Sequence, residues 1–101
     1  MDEEQRLIVE MERSRQANDV LEHPLFIEAL NVYRNVLKDE WLNSPARDTE
    51  GRERIWVMQK TVEVVERHLR EIMETGKLAT IQWEQKRGAV QRVRDAWNGL
   101  L

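Results

Sequence analysis

The stretch Thr49 to Thr75, TEGRERIWVMQKTVEVVERHLREIMET, decides how this chain is read. Ile55, Met58, Val62, Val65, Leu69 and Ile72 recur three and four residues apart, and Gly76 takes the next step of the series. At helical spacing these side chains share one stripe, while Glu53, Lys60, Glu63, Glu66, Arg67, Arg70, Glu71 and Glu74 cover the other faces. The pattern predicts a long, heptad-patterned helix with another element packed on its seam. Val62, Val65 and Leu69, with Leu30 and Leu37 from the segment before, are the expected core.

Outward from this spine the chain divides at three breaks, which together predict an all-α fold, a small helical bundle of about four segments. His23-Pro24 is the first break, because proline disfavours helical geometry in the residue before it and suits the first turn of the helix it opens. Asn43 to Asp48, with Ser44-Pro45, is the second, and Asp48 or Thr49 can cap the spine that follows. Gly51 weakens that helix's first turn, so it is expected to settle only near Arg52. A loop this short makes the second and third helices antiparallel neighbours. Thr75-Gly76-Lys77-Leu78 is the third break, a stop signal in which Gly76 takes the left-handed position after a helix end and Leu78 folds back on Ile72 or Met73.

The flanking segments differ in character. Residues 1–23 have few apolar positions and an acidic start, Asp2-Glu3-Glu4, suited to a helix N-terminus; they are expected as a peripheral helix or a docking arm. From Pro24 to Leu42 one stripe runs through Phe26, Leu30, Tyr33, Leu37 and Trp41, and a second through Leu25, Ala29, Val32 and Val36. Two stripes predict burial against more than one neighbour, with Tyr33 in the core and its hydroxyl at the rim. Residues 77–101 form a basic C-terminal helix with the series Ala79, Trp83, Lys86, Val90, Val93, Trp97 and Leu100, and Gly88 as a point of bending.

The 101 residues suit a single domain. Charged residues make up 35% of them, which implies extensive solvated helix surface. Net charge is −3 but unevenly spread: residues 1–24 carry seven acids and three bases, residues 77–101 two acids and five bases. Such polarity suits head-to-tail contact between copies. The absence of cysteine removes disulfides, thiolate metal sites and thiol nucleophiles. The acidic start is unlike a signal peptide and no apolar run reaches bilayer length, so a cytoplasmic protein without membrane partners is expected.

No catalytic, cofactor-binding or metal-binding residue emerges. His23 reads as a cap-region residue and His68 as a surface residue of a charged helix; no metal-ligand, phosphate-loop or nucleophile motif is present. The paired acids alternate with Lys60, Arg67 and Arg70 as helix-surface ion pairs do. Nucleic-acid binding is a second possibility, since Lys77, Lys86, Arg87, Arg92 and Arg94 lie among Trp83 and Trp97, as phosphate contacts and stacking groups would. The acidic remainder of the chain and the lack of a basic recognition helix count against it.

Asn43-Ser44-Pro45-Ala46-Arg47-Asp48-Thr49-Glu50-Gly51-Arg52-Glu53, followed one helix later by Glu74-Thr75-Gly76-Lys77-Leu78-Ala79, resembles small all-helical proteins encoded in tailed-phage and prophage genomes. The resemblance covers the middle half of the chain. It implies a virion-assembly, genome-packaging or host-interaction setting, in the host cytoplasm or the virion, and transfers no functional residue. The expected function is a non-enzymatic, self-associating protein–protein interaction module, a homo-oligomer built through the long helix. Trp41, Trp56, Trp83, Trp97, Arg87, Arg92 and Arg94 are its candidate interface residues, because tryptophan buries a large apolar body at interfaces. A DNA-binding packaging protein resembling a small terminase subunit, and an inhibitor of a host defence protein, are the alternatives.

Overall fold

The computed structural model describes residues 2–100, and these form three α-helices: α1, Glu3–Glu22; α2, Pro24–Asn43; and α3, Thr49–Leu100. The all-α class holds, and no strand occurs among the described residues. Local chemistry sets the start of each helix. Asp2 Oδ1 accepts from the Gln5 amide at 2.8 Å while Gln5 Oε1 accepts from the Asp2 amide at 3.3 Å, a reciprocal cap that satisfies two otherwise free donors. His23 caps α2 by accepting at Nδ1 from the Leu25 amide at 3.2 Å, with Pro24 in the first turn. Asp48 caps α3, accepting from the Gly51 amide at 3.0 Å. That cap starts the helix at Thr49, earlier than the Arg52 start expected from the weakness of Gly51.

Four segments were expected and three helices are found, because α3 runs unbroken through Gly76. No described glycine has a positive φ, so Gly76 is not a stop residue in the left-handed conformation. It is a buried helix residue at a close crossing with α1. A side chain there would meet the Ser14 side chain and lie 2.7 Å from the Glu10 carbonyl oxygen. Ser14 Oγ donates to the Met73 carbonyl at 2.9 Å across the same crossing. The small residues Ser14, Ala17, Gly76 and Ala79 bring two backbones together, and that contact offsets the roughly 1 kcal/mol by which glycine weakens a helix interior.

The chain forms two compact units, residues 1–17 with 71–101 and residues 18–70. In the first, α1 packs antiparallel on α3: Glu3 pairs with Lys86 at 3.1 Å and Ser14 bonds to Met73. Leu7 is fully enclosed at 0% exposure, with Ala17 and Ala79 beside it in burial. In the second, α2 packs antiparallel on the start of α3, since Arg34 pairs with Glu66 and Ser44 with Arg52. Leu37 is the buried residue of this unit.

The seam of α3 in this unit differs from the expected one. The partly covered line is Ile55, Gln59, Val62, Glu66 and Leu69, whereas Met58 and Val65 are exposed, Val65 to 51%. A polar contact accounts for the turn of the helix. Arg34 Nη2 lies 2.5 Å from Glu66 Oε2 across the α2–α3 contact, and Arg70 stands 3.5 Å from the other Glu66 oxygen. Facing Glu66 to α2 rotates Val65 outward, because neighbouring helix positions point about 100° apart. The second stripe of α2 is likewise not buried: Leu25, Ala29, Val32 and Val36 are all exposed, and so is Tyr33.

Gly88 and Gly76 sit in the same helix but in opposite surroundings. A Cβ at Gly88 would find only the Arg92 guanidinium, 3.9 Å away. Gly88→Ala is therefore expected to raise stability by about 0.5–1 kcal/mol through helix propensity alone, measured as a higher urea midpoint at unchanged m-value.

Candidate interaction surfaces

Two concave surfaces collect most of the candidate residues. In the unit of residues 18–70, Leu37 and Ile55 floor a groove of about 260 Å³ between α2 and α3, walled by Trp41 and Trp56 and rimmed by Arg34, Lys38 and Gln59. Each tryptophan is held by a cation. The Arg52 guanidinium lies 4.5 Å from the Trp41 ring centroid, and is itself anchored through Nε to Ser44 Oγ at 2.9 Å. Lys60 Nζ lies 5.6 Å from the Trp56 ring and 3.2 Å from Glu63 Oε2. Hydrogen bonds from Lys60 and then Gln59 hold the Glu63 carboxyl below the usual carboxylate range. Such stabilisation is present above the unfolded carboxyl pKa and is lost as pH falls through the lower folded value. The groove offers an apolar slot with positive charge at its rim, a fit for an apolar side chain next to a carboxylate.

In the other unit, Trp83, Lys86, Arg87, Val90, Gln91 and Arg94 of α3 and Glu4 of α1 line a cleft of about 260 Å³. The acidic head and basic tail noted in the sequence meet here within one chain, through the Glu3–Lys86 pair and the placement of Glu4. Every residue from 89 to 100 is exposed. Val90, which lines the cleft, and Val93, Trp97 and Leu100 farther along continue the stripe that α1 covers at Ala79, Trp83 and Lys86, and all four are exposed.

The structure thus brings Trp41 and Trp56 together in one groove and Trp83, Arg87 and Arg94 together in another, and leaves Trp97 on the open stripe. Arg92 lines neither surface; its guanidinium lies nearest Gly88. Sequence reasoning did not anticipate Lys38, Glu4 or the Arg52–Trp41 stack. The spacing of Ser44 and Arg52 around the predicted loop was the available signal for the last of these. No helix among the described residues is long and apolar enough to cross a membrane. No protein-family model, curated protein or solved structure matches the chain.

Proposed function

We propose that this chain is a non-enzymatic, self-associating protein–protein interaction module. The observation that carries this proposal is its uncovered apolar surface. Among the described residues, twenty-one large hydrophobic residues are exposed, against four hydrophobic residues that are buried. On this reading the homo-oligomer is assembled through α3 and its tryptophans, and the resemblance to tailed-phage proteins implies a virion-assembly, genome-packaging or host-interaction setting, in the host cytoplasm or the virion.

A DNA-binding role draws on the Lys86, Arg87 and Arg94 cleft, but Glu3 neutralises Lys86 and Glu4 shares the cleft, which weakens its field for phosphate. The test is mass by light scattering across dilution from about 100 to 1 μM, a range that brackets moderate affinities. A mass above the monomer at the high end, falling on dilution, is expected. A constant monomer mass, or DNA binding that weakens steeply with salt, would overturn the assignment.

A further inference from the structure

Resting on that self-association, we propose that the contact is head-to-tail: the open C-terminal stripe of α3 in one copy seats on the outward face of α2 in the next. The two faces match in form. Val90, Val93, Trp97 and Leu100 span about 15 Å of helix and Leu25, Ala29, Val32 and Val36 about 16 Å, at the same alternation of three and four residues. Both are exposed, Trp97 to 63% and Val32 to 56%.

They are opposite in charge. On the helical wheel Glu28 and Asp39 border one side of the α2 stripe and Glu40 the other, while Arg87 and Arg94 border the α3 stripe. None of these five makes an ion pair among the described residues, although ion pairs form at many other positions of the three helices.

Charge also selects against the other seats within a second copy. The stripe against itself would set Arg94 beside Arg94, with Asp95 on the far side of the helix. The Trp41–Trp56 groove is rimmed by Lys38, which repels a basic tail, and by Arg34, which Glu66 already pairs. A contact between two different faces is heterologous, so it propagates from copy to copy into a ring or a filament.

The test uses two full-length variants: Val93→Glu with Trp97→Glu, which spoils the tail, and Val32→Glu with Val36→Glu, which spoils the α2 face. Circular dichroism checks that each keeps its helix content, as is expected of exposed positions. Each variant alone should be monomeric at about 100 μM. Mixed in equal amounts they should form a complex of two copies and no larger, because one good tail then meets one good α2 face. Val32→Cys mixed with Trp97→Cys should cross-link chiefly to each other, with no native cysteine to compete. If the α2 variant still self-associates while the tail variant does not, the tail pairs with itself and the proposal fails. If both variants associate like the parent, self-association stands but this seat is wrong. If the parent itself is monomeric, both fall.

Discussion

Leu7→Ala is expected to lower stability by about 2–5 kcal/mol, the cost of emptying an enclosed leucine site. Leu7 is the only large side chain described as fully buried, in the unit whose other buried side chains are Ala17 and Ala79. The loss should concentrate in the unit of residues 1–17 and 71–101. Hydrogen exchange of α1 amides should accelerate more than that of α2 amides around Leu37. A change below about 1 kcal/mol would mean that α1 contributes little to holding this unit together.

Gly76→Leu is expected to remove α1 from α3. Even a Cβ at position 76 would come within 2.6 Å of Ser14 Oγ and 2.7 Å of the Glu10 carbonyl oxygen, and that carbonyl belongs to a helix backbone that cannot rotate aside. The Ser14–Met73 hydrogen bond would be lost with the approach. Gly76→Ala should also destabilise, by about 1–3 kcal/mol as overpacking does, although alanine is the better helix former. The contrast with Gly88→Ala is the check. The same substitution in the same helix should change the urea midpoint in opposite directions at the two sites. A stabilised Gly76→Ala would show that the helices are not in close contact at this crossing.

These two sites show where sequence reasoning succeeds and where it stops. The all-α class, the breaks at His23-Pro24 and at Asn43 to Asp48, and the antiparallel run of α2 on α3 were legible because they rest on local chemistry. A proline in a first turn, a carboxylate three residues before a free amide and an apolar residue every three or four positions act within one or two turns of the chain. Gly76 was misjudged by the same local logic. Its surroundings are those of a helix stop, and only α1, some sixty residues earlier, turns it into a packing residue.

The seam was misjudged in a related way. Periodicity placed Met58 and Val65 inward beside Val62 and Leu69, but it does not specify which edge of a stripe a neighbouring helix covers. The Arg34–Glu66 pair decides that, admitting Gln59 and Glu66 to the contact and leaving Val65 outside. The candidate surfaces followed the same division. That Trp41, Trp56, Trp83 and Trp97 were worth watching could be read from residue type. That two of them share one groove, a third lines a basic cleft and the fourth stands on an open stripe depended on pairing between distant segments. By itself the sequence determined the helical class and the breaks at His23-Pro24 and Asn43 to Asp48, because backbone hydrogen bonds and caps reach only a few residues. The tertiary structure decided which face of each helix is covered, because rotation about a helix axis changes no backbone bond within the helix and is settled only by the side chains it meets.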